Sequence, residues 1–132
     1  MRRAAAAALG ALLLTSACGG SSGSSKAAQS SPAKPGAAVG IPLLSFTPDT
    51  VTIQAGQTVT WTNGNDISHV LVEGSYAVDK HTGLRTSESD DGAFSLKVDK
   101  KNDVVSHTYP RAGTFTYYCS IHKGMNATVV VR

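Results

Sequence analysis

The run Tyr117-Tyr118-Cys119-Ser120-Ile121-His122-Lys123-Gly124-Met125 sets a thiol, an imidazole and a thioether at the spacing Cys-x2-His-x2-Met. A soft anionic sulfur, a borderline nitrogen and a weak neutral sulfur together suit copper better than zinc, calcium or magnesium. One short loop can turn all three side chains onto one ion, but it leaves a fourth ligand to be found upstream. His69, opening Ser68-His69-Val70-Leu71-Val72-Glu73, is the candidate. Two imidazoles and a thiolate with a distant axial thioether form the donor set of an electron-transferring copper site. His81 falls in a polar stretch and His107 precedes Tyr109-Pro110, so both read as structural or solvated histidines.

Such ligands need a scaffold. From Ile41 onward the chain consists of short β-branched and aromatic runs separated by turn residues, with no helical period. Val51-Thr52-Ile53 alternates, Ala55-Gly56-Gln57 turns, and Thr58-Val59-Thr60-Trp61-Thr62 alternates again before the turn cluster Asn63-Gly64-Asn65-Asp66. His69–Val72, Phe94–Val98, Val104–Tyr109, Thr114–Tyr118 and Ala127–Val131 complete the strands, and Trp61 reads as core. The segment from Tyr76 to Gly92 is polar and reads as a long excursion at a sheet edge. The fold class is all-β, a sandwich or barrel.

With 132 residues the chain has room for one domain, and part of it lies outside that domain. Met1-Arg2-Arg3 followed by the apolar run Ala4 to Leu14 has the pattern of a secretory signal, too short to span a bilayer. Leu14-Thr15-Ser16-Ala17-Cys18-Gly19-Gly20 resembles a bacterial lipobox, with its Leu one position further from the Cys than is usual. The resemblance implies a signal over 1–18 and lipidation of Cys18. Residues 19–40, rich in Gly, Ser, Ala and Pro, read as a flexible tether whose root-mean-square reach is roughly 25 Å. The folded domain then occupies 41–132.

Charge excludes one class of partner. The chain holds 12 basic against 9 acidic residues, but two of the basic ones, Arg2 and Arg3, belong to the signal. Ten against nine remain, so nothing points to nucleic acid. Lys100 and Lys101 sit beside Asp99 and Asp103 and read as a solvated turn. No Ser-His-Asp arrangement, phosphate-cradling Gly loop or motif-placed carboxylate pair is present, and four protein ligands leave no open position for a substrate. Cys18 and Cys119 differ in role, so they are not expected to pair. A lone thiol in an exported domain then needs a purpose, which metal ligation supplies.

Residues from Leu43 to Arg132 resemble small blue-copper proteins, the cupredoxins of the plastocyanin and amicyanin type. Three pieces carry the resemblance: Val51 to Asn63 as the early hairpin, Ser68-His69-Val70 as the first ligand strand, and Ala112 to Met125 with Ala127–Val131 as the ligand loop and closing strand. It implies a Greek-key sandwich of about 7–8 strands and one type 1 copper ion held by His69, Cys119, His122 and Met125. The implied function is Cu(II)/Cu(I) electron transfer with transient redox partners, by a non-enzyme acting as a monomer. With the lipid anchor, the implied place is the outer face of the cytoplasmic membrane or the periplasm. The resemblance also implies a His122 ring edge within an apolar patch, here Ile121, Gly124 and residues near Asn65 and Ile67, with Lys123 adding a charge. Three positions depart from it: the His-to-Met spacing is short, as in amicyanins, Val70 replaces the usual Asn, and Lys123 replaces the usual Pro. The same ligands would also serve copper storage or delivery in the cell envelope. Zinc is disfavoured by the thioether, and a metal-free adhesion sandwich leaves the Cys-His-Met cluster without a role.

Overall fold

The computed structural model describes residues 33–132, all of whose regular structure is β. The signal, Cys18 and the tether as far as residue 32 lie outside the described residues. Eight strands form two sheets: β1 (Lys34–Ile41), β2 (Thr50–Ile53), β3 (Gln57–Asn63), β4 (His69–Val78), β5 (Arg85–Val98), β6 (Val104–Thr108), β7 (Gly113–Cys119) and β8 (Asn126–Val131). One sheet has the order β1-β3-β6 and the other β2-β8-β7-β4-β5. The eight strands and two sheets agree with the cupredoxin sandwich implied by the sequence.

The alternation in sequence becomes alternation in burial. β2 reads exposed-buried-exposed-buried, and β8 alternates half-buried with buried along its whole length. Val51, Ile53, Val59, Trp61, Leu71, Val98, Tyr117, Val129 and Val131 thereby meet between the sheets. Trp61 is fully buried at the centre, edge-on to Tyr117 at 5.3 Å and tilted against Phe94 at 5.6 Å.

Two segments differ from the sequence reading. The tether was expected to reach residue 40, but Lys34–Ile41 is a strand, parallel to β3 in the register Lys34↔Gln57 to Ile41↔Asn63. Val39 and Ile41 enter the core from it. Its small residues are a packing requirement, since a Cβ on Gly36 would meet the Thr58 carbonyl oxygen at 2.8 Å. The polar excursion from Tyr76 to Gly92 lies at a sheet edge as expected, but it is a long hairpin. The far half of β4 pairs with the near half of β5, from Gly74↔Asp90 to Val78↔Arg85. A shift of register between Val72 and Gly74 bends this arm, and any side chain on Gly74 would collide with the Ser89 carbonyl.

The arm's base buries Glu73, which is 4 % exposed and has one carboxylate oxygen, Oε2, without a hydrogen-bond partner. Burial, then the nearby Asp91 charge, push its pKa above the ordinary glutamate value, against a smaller opposing pull from Tyr109. A raised folded pKa means that the native state holds the proton longer than the unfolded chain does. Wild-type stability therefore falls as pH rises from the unfolded value of about 4.5 through the raised folded one. Glu73→Gln does not titrate, so we expect it to melt higher than wild type at pH 7 and to lose this advantage on acidification. Thermal melts across that range check the prediction, and a gap that stays constant with pH would refute it.

Candidate metal centre

Two asparagines shape the approach to His69. Asn63, fully buried, donates from Nδ2 to the Ile67 carbonyl at 3.0 Å. The Asn65 side chain accepts from the Ile67 amide at 2.6 Å and donates to the Ile41 carbonyl at 3.1 Å. Together they tie the turn to the end of β1 and deliver His69 at the first position of β4, opposite Val98. The Ser68 hydroxyl adds a bond to Asp99 at 2.8 Å.

The other candidates come from the β7–β8 connection. Cys119 ends β7, paired with Leu71 of β4, so β4 and β7 bring Cys119 beside His69. The Ser120 amide donates to the Val70 carbonyl at 2.9 Å. Val70 therefore ties the two ligand segments through its backbone, where an Asn would add a side chain. Within the loop, the His122 amide donates to the Cys119 carbonyl (3.3 Å), that of Met125 to His122 (3.1 Å) and that of Cys119 to Met125 (3.1 Å).

The donors converge. Cys119 Sγ lies 4.0 Å from His69 Nδ1 and 3.4 Å from His122 Nδ1. One ligand atom from each of the three residues lies within 4.8 Å of the others. An ion with bonds of about 2.0–2.3 Å to nitrogen and sulfur needs trigonal ligands roughly 3.5–4 Å apart, and these separations suit it. The histidine rings tilt at 60° with centroids 5.0 Å apart. His69 and Cys119 are fully buried, Met125 is 1 % exposed, and His122 is half-buried. Cys119 is a free thiol. Burial, reinforced by the neighbouring His122, lowers the His69 pKa and favours the neutral imidazole that can ligate. The donor chemistry and spacing fit one copper ion.

Of the remaining candidates, His81 is exposed, and half-buried His107 packs between Phe94 and Tyr109 with ring centroids at 4.8 and 4.7 Å. Neither joins the cluster. Ile121 is 53 % exposed beside His122, Lys123 and Gly124 are exposed, and Ile67 is half-buried. Leu84, at the arm's turn, joins this surface, with Cδ2 3.6 Å from where a Gly124 Cβ would stand. Sequence reasoning missed Leu84, and it also missed Arg85. That side chain is 3 % exposed and reaches five residues between Cys119 and Asn126. No local signal marks a single Arg inside a polar run.

Comparison with known proteins agrees with this geometry. Residues 35–132 match the family of copper-binding proteins described as plastocyanin/azurin. Amicyanin from Paracoccus versutus is 29 % identical over 105 residues, covering 80 % of this chain and 70 % of the relative. Plastocyanin from Scenedesmus fuscus is 31 % identical over 91 residues, covering 67 % and 88 %. Among solved structures, a purple cupredoxin from Nitrosopumilus maritimus shares the fold, with a TM-score of 0.53 and 24 % identity over 73 % of this chain and 99 % of its own.

Proposed function

This chain belongs to the plastocyanin/azurin family of copper-binding proteins, and from that premise we propose that it is a one-electron carrier of the cell envelope. Its copper ligands are His69, Cys119, His122 and Met125. The observation that carries the proposal is the convergence of Cys119 Sγ with the Nδ1 atoms of both histidines at 3.4 and 4.0 Å. When bound, the copper supplies a Cu(II)/Cu(I) couple.

The residues then divide the work. Cys119 would hold the ion as its strong anionic ligand, and its burial protects the sulfur from oxidation. His69, buried and neutral, holds the inner side of the site. His122 is half-buried, so its ring offers the short route for an electron between the site and the surface, where Ile121, Gly124 and Leu84 present an apolar rim. Met125, buried beside the loop, would supply a weak thioether donor, which favours the reduced ion. Strands β4 and β7 and the hydrogen-bonded loop before β8 would hold these groups in one arrangement for both oxidation states, which would keep reorganisation small. The partners are transient redox proteins, with no nucleic acid and no small-molecule substrate. The protein acts as a monomer, exported through the signal at 1–18 and lipid-anchored at Cys18. Four protein ligands leave no open coordination position, so the reading is of a carrier and not an enzyme.

The test is a visible spectrum of the purified protein titrated with Cu(II) and then with ascorbate. An intense blue band should saturate at one equivalent and bleach reversibly. A colourless protein would overturn the proposal. Metal that binds and leaves without a reversible bleach would instead indicate copper storage or delivery.

A further inference from the structure

Arg85 opens β5 at the arm's turn, and its backbone amide donates to the Lys123 carbonyl at 3.0 Å. A buried guanidinium is costly unless its donors are satisfied, and here each nitrogen has an acceptor. Nη2 donates to the Cys119 carbonyl at 2.6 Å. Nη1 faces the carbonyls of Met125 (3.0 Å), His122 (3.2 Å) and Lys123 (3.4 Å) and the Asn126 side-chain oxygen (2.8 Å), so some of these bonds are shared. Nε donates to Glu88 Oε2 at 2.8 Å, the one carboxylate in the group and itself partly exposed. The guanidinium also stacks over the Tyr118 ring at 4.5 Å.

The pattern is specific. All three candidate ligands of the loop, Cys119, His122 and Met125, give their own backbone carbonyl to this one cation. The same three carbonyls accept the bonds that close the loop on itself. Arg85 thus collects the loop's carbonyl dipoles on a single positive charge. The first ligand strand pairs with β7 only as far as Leu71↔Cys119, and beyond that pair it gives the loop one backbone bond, Ser120 to Val70.

We propose that Arg85 is the positioning residue of the metal loop: it holds the loop in its ligating shape before metal arrives, and its buried charge favours the reduced state of the site. This rests on the copper reading above. A positive charge beside the site favours the oxidation state with the lower charge, so its loss should lower the reduction potential.

The test compares wild type with Arg85→Lys, Arg85→Met and Glu88→Gln. In the metal-free protein, amide hydrogen exchange at His122 and Met125 should be about tenfold faster or more in both Arg85 variants. Once loaded, copper should pass to a chelator roughly 10–100-fold faster from both, as for groups that orient metal ligands elsewhere. The potential should fall in Arg85→Met by the equivalent of about tenfold in the redox equilibrium, ~59 mV for one electron. Lys keeps the charge without the planar fork, so Arg85→Lys should retain most of the potential while losing loop protection. Glu88→Gln removes a negative charge and leaves every loop contact, so it should raise the potential at wild-type exchange rates. If Arg85→Met does not fold, the other two variants decide. Wild-type exchange and copper release in Arg85→Lys, or an unmoved potential in Glu88→Gln or Arg85→Met, would overturn the proposal. A wild type that never turns blue is a different failure, removing the copper reading itself.

Discussion

Cys119→Ser should abolish the intense visible band of the copper-loaded protein while leaving the fold standing. The hydroxyl cannot replace a soft, anionic sulfur, so the remaining donors bind copper weakly and give only a faint band, about tenfold or more less intense. The fold should survive because Cys119 is a free thiol and its backbone supplies the local structure. Its amide bonds to Met125, and its carbonyl accepts from His122 and Arg85. A serine hydroxyl fits the space and can bond to His122 Nδ1, which now lies 3.4 Å from the sulfur. Metal-free wild type and variant should therefore melt within a few degrees of one another, on the order of a 1 kcal/mol effect or less. The increase in melting temperature on adding copper should be large in wild type and nearly absent in the variant, because ligand stabilisation follows affinity. A variant that stays blue would exclude Cys119 as the copper thiolate.

The second large effect concerns the scaffold. Trp61→Ala should destabilise the metal-free protein by about 3–5 kcal/mol. For a folded unit of this size the melting point should drop on the order of 15 °C or more. Trp61 is fully buried, pairs with Val39 on one side and Val105 on the other, and packs edge-on to Tyr117 and tilted against Phe94. It therefore belongs to the small sheet while its ring fills the space against the large one. Removing the ring leaves a cavity between sheets that backbone pairing prevents from collapsing. Denaturant unfolding measures this directly, and a loss of under about 1 kcal/mol would show that the sheets close over the gap.

What could be read from the chain follows from which physical signals are local. β2 and β3 were legible because each alternates apolar and polar residues with one face in the core, and β8 because Thr128-Val129-Val130-Val131 is a β-branched run, which suits a strand. The ligand set could be suggested for a related reason, since Cys119, His122 and Met125 share one loop and only His69 had to be found elsewhere. β1 was hidden because Pro35, Gly36 and Gly40 look like tether composition, and its strand character comes from a partner distant in sequence, β3. The arm was hidden because it projects beyond the sandwich, so its residues are largely exposed and carry no alternation. Arg85 was the least legible. Its burial is decided by where the Cys119–Asn126 carbonyls lie, and nothing within Arg85-Thr86-Ser87-Glu88 records that.

β1 also determines which way the molecule faces. Its first residue, Lys34, lies beside Gln57 at the end of the sandwich where the Ala55 amide meets the Arg132 carbonyl. Its last, Ile41, reaches the end where Asn65 steers the chain toward His69. Eight extended residues span about 25 Å. The described chain thus begins at the pole opposite the His69–Cys119–His122 cluster, and a pull from that side would point the half-buried His122 outward. The strand gives the domain a direction, with the half-buried His122 at its leading end, so turning that end back toward the side where the described chain begins would require the whole domain to rotate.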